Sequence, residues 1–427
     1  MTKAKTNSSI TVLDNSADLI IVGAGPAGCA AATVAARAGL SVALLDKAQT
    51  FPRLKACGDA LTPLAVSALG RLKIPIPSQA LATRGLAAWG PTGAPQFFVW
   101  PKTAGPTISY TVRRELFDAH MLEQARLAGA RVSLGQAVGG LVFDGSRVRG
   151  VETTKGLSWA APVIIDATGA SARLGATAGM PRLPDRPTGV AVRGYMRGRD
   201  GAGGPWLHSW LALAGHDGTP LPGYGWVFPM GDGLFNVGVG QLSTSASYQQ
   251  TNYRALLRDW AQTLPAEWDL SWAEPGDGFG VMGAMLPMGL DRALVYRNGL
   301  LLVGDAAGLV NPFDGEGVSY ALESGGLAGR AVVAAWRAGF GTEAAEVALR
   351  GYHHQVKHRF GSYFWAGNLF TKLMGNQQVL DACVRYGLPR SGVMRVVNKL
   401  MANLIAPYGG PLDDRLLRLA LQIAPSA

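Results

Sequence analysis

The segment from Ala17 to Gly28 constrains the fold more than any other part of the chain. Its centre, Leu19 to Val22, is a short apolar run with the length and β-branched content of a buried parallel strand. The sequence Gly-Ala-Gly-Pro-Ala-Gly follows and leads into an alanine-rich stretch, Pro26 to Ala38, that predicts a helix ended by a glycine. A second strand is predicted over Ser41 to Leu45. Strand, glycine-rich turn, helix and strand together predict a dinucleotide-binding unit.

Each glycine of this turn has its own physical task in such a unit. Gly23 allows the tight turn, Gly25 lets the backbone approach a pyrophosphate, and Gly28 lets the helix pack closely on the strand. The phosphates are expected at the helix N-terminus, beside Pro26 and Ala27, because unpaired backbone N–H groups point outward there.

An acidic residue stands at the end of the second predicted strand. Asp46 is placed to accept hydrogen bonds from the ribose hydroxyls of an adenosine, and Lys47 after it is included in the predicted site. A plain glycine-rich turn is the alternative interpretation. Strand, helix and acid at this spacing are the context that the dinucleotide motif requires, so the sequence predicts the cradle of a flavin dinucleotide.

Composition limits the classes of function that remain. The chain has 427 residues, of which 48% are hydrophobic and 16% charged, so it is expected to be globular with two or three packed lobes. A net charge of +10 is compatible with an anionic membrane surface or a phosphorylated ligand. No run of basic residues interleaved with aromatic ones is present, so no nucleic-acid partner is expected.

The three cysteines, Cys29, Cys57 and Cys383, are scattered and odd in number. They predict neither a disulfide framework nor a metal site, and a reducing cytoplasm is the expected compartment. The first 17 residues are polar without the apolar core of a signal peptide, and no transmembrane helix is predicted.

Two further elements carry a resemblance to a known family. The loop after Asp46 contains Phe-Pro-Arg and then Cys57-Gly58-Asp59, and a later strand reads Tyr-Gly-Trp-Val-Phe-Pro. Alternation by two places Tyr224, Trp226 and Phe228 of that strand on one face. Both elements resemble the geranylgeranyl reductase family of flavoproteins, and within it the actinobacterial branch that saturates isoprene units of menaquinone or related polyprenyl lipids. Plant and archaeal members more often carry Cys-Gly-Gly, which weakens direct transfer of their substrate.

The resemblance implies a mixed α/β fold. It consists of a glutathione-reductase-like, Rossmann-type FAD domain, an interleaved antiparallel β substrate domain and a C-terminal helical region. The expected boundaries are 17–78, 113–185 and 296–340 for the FAD domain, 79–112 and 186–295 for the substrate domain, and 341–427 for the helical region.

The resemblance also assigns roles near the flavin, each with an alternative. It implies that Cys57 and Gly58 lie beside the isoalloxazine, whereas a free cysteine is commonly just a small buried residue. Nucleophilic catalysis is disfavoured because no activating base is adjacent. It implies that Tyr224 and Trp226 line a substrate channel, although an aromatic face also suits a plain core. Arg114, in Arg-Glu-Leu-Phe-Asp, is implied to reach toward FAD, the alternative being a solvated charge at a helix start.

A second glycine-rich element begins at Leu300. A predicted buried strand ends in Gly304-Asp305, and a loop containing Gly315 then enters a predicted helix from Gly317 to Ala338. Helix-terminal N–H groups stabilise negative charge, which a reduced flavin carries at its pyrimidine edge. The resemblance implies that the Gly-Asp pair holds the ribityl hydroxyls. An isolated structural turn is the alternative.

The implied reaction is hydride transfer from reduced FAD to one carbon of an isoprenoid double bond, with a proton reaching the other carbon. The site must orient the alkene closely and exclude solvent. Electrons are expected from NAD(P)H, with NADPH included, or from a protein carrier, because no second dinucleotide cradle is visible. The alternatives are an FAD-dependent monooxygenase or epoxidase of an apolar substrate, a flavin halogenase, and a non-catalytic lipid-binding flavoprotein.

The C-terminal tail is predicted to be helical and basic. Between Arg350 and Tyr408 there are eight lysines or arginines against one acid, Asp381, together with many aromatic residues. Such a surface suits peripheral contact with the anionic inner face of the cell membrane, where a polyprenyl lipid resides. A helical cap over the core, with a solvated outer face, is the alternative.

Overall fold

The computed structural model describes residues 15–91, 93–102, 105–215, 217–406 and 408–427. The predicted dinucleotide unit lies in a six-stranded sheet, parallel except for one edge strand. In spatial order its strands are β19 (Tyr296–Arg297), β20 (Leu300–Leu302), β12 (Val163–Asp166), β1 (Leu19–Val22), β2 (Val42–Leu45) and β8 (Arg131–Ser133). The four central strands are buried at every residue, which explains sequences that are apolar except for Asp166 at the end of β12.

Helices cover this sheet and extend the chain beyond it. The described residues form ten α-helices: α1 (Pro26–Arg37), α2 (Pro63–Leu72), α3 (Arg114–Leu127), α4 (Arg173–Thr177), α5 (Tyr253–Ala261), α6 (Val318–Arg337), α7 (Glu343–Met374), α8 (Gln377–Ala382), α9 (Ser391–Met401) and α10 (Leu412–Ile423). A π-helical turn, Cys383–Gly387, follows α8. Helices α1 and α6 touch along small residues, since a Cβ added to Gly325 would lie 2.2 Å from the Ala27 carbonyl oxygen.

The second large element is an eight-stranded sheet whose neighbours are antiparallel except for one pair. Its strands are β5 (Gly85–Trp89), β6 (Pro95–Val99), β13 (Thr188–Arg197), β14 (Trp206–Trp210), β15 (Gly223–Gly231), β16 (Leu234–Leu242), β17 (Ser271–Trp272) and β18 (Met282–Pro287). Strand β16 lies between β13 and β15, with Asn236 opposite both Tyr195 and Phe228. This register decides which polar side chains face the candidate site.

Two three-stranded sheets complete the β-structure. Their strands are β3 (Ala60–Leu61), β4 (Leu81–Thr83) and β7 (Ser109–Thr111), and β9 (Val138–Asp144), β10 (Arg147–Thr153) and β11 (Ser158–Ala160). The predicted mixed α/β class with C-terminal helices is confirmed. The residue boundaries predicted for the domains stay a prediction. Among the described residues, none of the helices combines the length and apolar character that crossing a membrane requires.

Candidate functional site

One cavity of about 570 Å³ connects the two large sheets and the C-terminal helices. This volume lies in the range that holds a drug-sized organic ligand. Nine residues predicted for the site line this cavity: Pro26, Cys57, Gly58, Arg114, Tyr224, Trp226, Asp305, Gly315 and Gly317. The others predicted lie in the segments that follow β1, β2 and β20, including the first turn of α1: Gly23, Gly25, Ala27, Gly28, Asp46, Lys47 and Gly304. Residues separated by almost 300 positions are therefore brought to one edge of the parallel sheet.

The first glycine-rich turn is shaped for close packing on one side and for a ligand on the other. A Cβ on Gly28 would lie 1.9 Å from the Gly23 carbonyl oxygen, and Gly23 itself has a φ of 107°. A Cβ on Gly25 would meet only the Arg53 guanidinium, at 3.8 Å. Gly25 is the N-cap of α1 and supplies no side-chain cap, so no capping side chain takes up the N–H groups of the first turn. This surface fits a pyrophosphate.

Asp46 holds the turn that precedes α1. Its Oδ2 accepts a hydrogen bond from the Ala24 N–H at 2.7 Å, and its Oδ1 accepts one from the Ala48 N–H at 2.8 Å. An ionised carboxylate has about four acceptor positions, so it retains acceptors for a ribose. The Arg53 guanidinium lies 3.8 Å from Asp46 and 3.4 Å from Asp118. Sequence reasoning missed Arg53, which supplies positive charge beside the N-terminus of α1, whereas Lys47 is exposed.

Arg114 is a buried side chain and not a solvated charge, so that alternative is wrong. Its Nε donates to Asp118 Oδ1 at 2.6 Å, one turn further along α3, and its backbone N–H donates to Asp59 Oδ1 at 3.1 Å. Burial by itself lowers the pKa of the guanidinium, but the charge of Asp118 and the thiol of Cys57 outweigh it and raise the pKa. Arg114 therefore stays charged at the cavity wall.

Cys57 is half-buried in the cavity wall and is a thiol at neutral pH. Burial raises the pKa of its thiol, and the positive charge of Arg114 only partly offsets that effect. The Asp59 N–H donates to Cys57 Sγ at 3.3 Å. Because the thiolate is the nucleophilic form, this environment does not favour covalent catalysis. Cys29 is buried, and Cys383 is exposed.

The aromatic residues of β15 form one wall of the cavity. The Tyr224 hydroxyl donates to the Asp314 carbonyl at 2.6 Å, and the Trp226 Nε1–H donates to Asn236 Oδ1 at 2.8 Å. Gly238 stands opposite Trp226 in β16, and a Cβ there would lie 2.1 Å from the indole. The face predicted from alternation by two thus lines a cavity as well as packing a core.

The loop between Gly304 and α6 brings three acids to the other side of the cavity. Asp305, Asp314 and Glu316 all line it. Burial raises the pKa of Asp314 and of Glu316; the charge of Glu316 also raises the pKa of Asp314, and the charge of Asp305 that of Glu316. Glu316 precedes α6, and its carboxylate accepts a hydrogen bond from the Ser319 N–H in the first turn of that helix at 2.8 Å. Sequence reasoning missed Asp314 and Glu316, although both stand within the motif that contains Gly315.

A buried polar group on the second sheet was also missed. Arg193 and Tyr195 in β13 and Asn236 in β16 face the loop that carries Lys55, Cys57 and Asp59, and all three are almost fully buried. A polar residue inside an otherwise apolar strand, as in Val-Arg-Gly-Tyr and Phe-Asn-Val, was the signal that could have found them.

Asp59 gives this site a specific dependence of stability on pH. Burial raises its pKa to about 6, although hydrogen bonds from Tyr195 and Asn236 and the charge of Arg193 lower it. In the unfolded chain the pKa of this carboxyl has its ordinary value near 4, so the folded state binds the proton more tightly. The contribution of Asp59 to the free energy of unfolding is therefore fully present below pH 4. This contribution is lost as pH rises through 6, and about two pKa units correspond to about 3 kcal/mol.

We therefore expect Asp59→Asn to gain free energy of unfolding relative to the parent protein as pH rises from 4 to 7. Urea unfolding of both proteins at several pH values measures that difference, in which the effects of other titrating groups cancel. Asp185→Asn is the control, because Asp185 is exposed and its variant should track the parent. A parallel course for Asp59→Asn would contradict the prediction.

The parallel sheet, the glycine-rich turn with an acid after β2, and the second glycine-rich loop define an FAD-dependent oxidoreductase. The family described as FAD dependent oxidoreductase matches residues 18–189. The menaquinone reductase of Mycolicibacterium smegmatis is 40% identical over 329 residues, covering 74% of this chain and 76% of that protein. The menaquinone reductase of Mycobacterium tuberculosis is 35% identical over 405 residues, covering 94% of each. The chain belongs to the geranylgeranyl reductase family of FAD-dependent oxidoreductases.

A solved structure supports the same fold. The geranylgeranyl bacteriochlorophyll reductase-like protein of Thermoplasma acidophilum has a TM-score of 0.76 and 22% identity, and the match covers 95% of this chain and 99% of that one. The likeness therefore extends over the C-terminal helices as well as the cofactor half.

Proposed function

We propose that this protein is an FAD-dependent reductase that saturates isoprenoid C=C bonds of a polyprenyl lipid, either a menaquinone side chain or a geranylgeranyl group. The observation that carries the proposal is the cavity, whose walls beyond the glycine-rich loops are mainly apolar. Aliphatic and aromatic side chains of β13, β15 and β18 line one part, and α9 contributes Met394, Val397 and Met401. The names of the related menaquinone reductases support this substrate class.

The protein's own residues have three tasks in this reaction. When FAD is bound, it supplies the hydride that an isolated alkene accepts only at close range. Pro26, the backbone of the first turn of α1, Asp46 and Asp305 would hold the cofactor at the edge of the parallel sheet. Tyr224 and Trp226 orient the apolar chain opposite Cys57 and exclude water. Asp314 and Glu316 are acids that burial keeps protonated more readily, so they are suited to hold the second proton.

The electron donor is proposed to be NAD(P)H bound transiently, or a protein carrier. In the described part of the chain, the glycines at 276 and 278 belong to a 3-10 turn and not to a strand–turn–helix unit. Mixing the oxidised protein anaerobically with NADPH or NADH, and following flavin absorbance, separates the two donors. If neither nucleotide bleaches the flavin absorbance, the result would favour a protein carrier as the electron donor.

The experiment that tests the function is mass spectrometry of menaquinone and geranylgeranyl lipids after incubation with the anaerobically reduced protein. A gain of two hydrogens per reduced unit, without oxygen, is the expected result and identifies the lipid. A parallel sample receives air and a reductant. A gain of one oxygen only in air would overturn the reductase and indicate a monooxygenase or epoxidase. Bound lipid with an unchanged flavin would indicate a lipid-binding flavoprotein.

We further propose that α10 lies on an anionic membrane surface. Leu412, Leu416, Leu419 and Ile423 follow one face of this helix and are 70%, 58%, 57% and 79% exposed. Lys399 pairs with both acids of the helix, Asp413 and Asp414, at 2.7 Å each and offsets part of their charge, while Arg415 stays exposed. An exposed apolar stripe beside free positive charge suits a bilayer that contains anionic lipid.

The variant Leu416→Asp with Leu419→Asp is expected to lower partitioning onto vesicles of phosphatidylglycerol and phosphatidylcholine by more than tenfold. Burial of a leucine is worth about 1.5 to 3 kcal/mol, and a tenfold change needs about 1.4 kcal/mol. Co-sedimentation measures the bound fraction. Leu127→Asp, at an exposed leucine on α3, is the matched control and should bind as the parent does. Unchanged vesicle binding, or a dimer that the double variant dissociates, would contradict the proposal.

A further inference from the structure

The loop of residues 55–59 forms part of the cavity wall, but it is held mainly by the opposite sheet. Arg193 in β13 donates from Nη2 to the Lys55 carbonyl at 3.1 Å. Asn236 in β16 donates from Nδ2 to the Cys57 carbonyl at 2.9 Å. The backbone carbonyls of Lys55 and Cys57 are therefore each fixed by a hydrogen bond from one of two neighbouring strands. These hydrogen bonds join the loop, on the side of the cavity proposed for the cofactor, to the eight-stranded sheet on the side proposed for the lipid.

The third attachment is the side chain of Asp59, which is only 2% exposed. Its Oδ2 accepts hydrogen bonds from the Tyr195 hydroxyl and from Asn236 Nδ2, the latter at 2.7 Å. Its Oδ1 accepts one from the Arg114 N–H at 3.1 Å. The backbone of Asp59 has a φ of 64°, in the left-handed region that favours glycine. Asp59 adopts this backbone conformation although it has a side chain, and both of its carboxylate oxygens accept hydrogen bonds.

The side chains that donate these hydrogen bonds from β13 and β16 are unusual for the strands that carry them. Arg193, Tyr195 and Asn236 are at most 1% exposed, and the two strands are otherwise largely apolar. The Arg193 guanidinium lies 4.6 Å from the centre of the Tyr195 ring. Burial of polar groups is unfavourable unless they are paired, and these three find major partners in the loop of Cys57. Asn236 also accepts the indole N–H of Trp226 at 2.8 Å. One side chain thus joins the aromatic wall to the loop.

We propose that Tyr195, Asn236 and Arg193 are positioning residues that hold the Cys57 loop at a fixed distance from the aromatic wall of β15. The inference rests on the proposed function and deepens it. The two walls between which an alkene would be oriented are joined through Asn236 into one hydrogen-bonded unit. Loosening that unit leaves the apolar surface that binds the lipid in place, but it lets the reacting bond move. The three residues therefore act on the rate of the bound complex more than on lipid affinity.

The experiment compares Tyr195→Phe and Asn236→Leu with the parent holoprotein. Tyr195→Phe removes a single oxygen and keeps the ring beneath Arg193. Each protein is treated with iodoacetamide, and peptide mass spectrometry gives the alkylation rate at each cysteine. Cys383 is exposed and checks the reagent, whereas buried Cys29 reports global opening. His208→Gln is the control, because His208 is a buried polar residue of β14 that bonds Trp89 and Gly203 and not the loop.

We expect the rate at Cys57 to rise about tenfold in both variants, with Cys29 and the His208→Gln protein unchanged. Steady-state turnover of the polyprenyl lipid should show kcat lowered by about 10- to 100-fold at a KM within about twofold, as expected for misplacement of a bound substrate by about 1 Å. The bound-flavin absorption spectrum should keep full intensity, since the cofactor contacts of α1 are untouched.

The outcomes separate this inference from the proposed function. A parent protein that reduces no polyprenyl lipid overturns the function, while the alkylation rates still test whether the three residues hold the loop. Unchanged alkylation of Cys57 in both variants overturns the positioning role. If the alkylation rates of Cys29 and Cys57 rise together in Tyr195→Phe, the positioning role is also overturned, because the variant would then have lost stability of the whole fold and not the position of the loop. A higher KM with unchanged kcat would assign them to lipid binding instead.

Discussion

Replacing Gly28 by alanine is expected to weaken FAD binding by about 100-fold. The added Cβ would lie 1.9 Å from the Gly23 carbonyl oxygen and 3.2 Å from the Ala167 Cβ. Gly23 cannot move away, because a shift of its backbone would meet the segment after β12, where Ala167 already stands close to it. Helix α1 must therefore leave its place on β1, and its first turn leaves the phosphate site. Overpacking costs about 1–3 kcal/mol, and 3 kcal/mol corresponds to a loss of about 100-fold in affinity.

Flavin absorbance of the purified variant, per mole of protein, measures this effect, and thermal unfolding measures the accompanying loss of stability. Gly70→Ala in α2 is the matched control, because a Cβ there meets no atom within 4 Å. In a helix interior that change should stabilise the protein by up to about 1 kcal/mol. A Gly28→Ala protein that purifies with a full complement of FAD would show that the close contact of α1 with β1 is not required for the cofactor.

Replacing Ala191 by phenylalanine is expected to stop lipid reduction while leaving the flavin intact. Ala191 stands in β13, lines the cavity and packs against the cluster that contains Trp226. A benzyl group at this position occupies space that an isoprenoid chain would need. It is remote in sequence from every glycine of the cofactor turns. The two activities of the protein, acceptance of electrons and transfer to lipid, should therefore separate.

The expected values are a loss of at least about 100-fold in kcat/KM for the polyprenyl lipid, equivalent to about 2.7 kcal/mol, with unchanged FAD content and unchanged anaerobic photoreduction. Ala82→Phe introduces the same side chain at an exposed position of β4 and serves as the control. Normal lipid turnover by Ala191→Phe would mean that the substrate does not pass this part of the cavity.

Local sequence was sufficient for the dinucleotide unit. The turn from Gly23 to Gly28 is specified by residues that touch one another within a few positions, so spacing alone predicts its geometry. Arg114 was different, because its surroundings were left open between a solvated and a buried charge. Asp118, one helical turn away, determines the outcome through the ion pair at 2.6 Å. The acid was visible in the sequence, but the burial of the pair was not.

The attachments of the Cys57 loop could not be predicted from sequence. They depend on the register of β13 against β16, which places Tyr195 opposite Asn236, and a shift of either strand by one residue would turn its side chain away from Asp59. The tail shows a related limit. Its helices and basic charge were predictable from the sequence. Periodicity shows that a helix has an apolar face but does not show what that face packs against. The contribution of α9 to the cavity was therefore not predicted.

The order of strands in the parallel sheet has a consequence for biosynthesis. Strand β12 lies between β1 and β20, so one of its edges stays unpaired from the time it is made until residues near 300 follow. At about 5–20 residues per second, the roughly 130 residues between β12 and β20 take about 7–27 s to be synthesised. During that interval the nascent chain carries an open, mainly apolar strand edge of the kind that invites mispairing. Six of the eight strands of the second sheet, β13 to β18, are synthesised in the same interval, so they are available to pair with one another before β20 closes the parallel sheet.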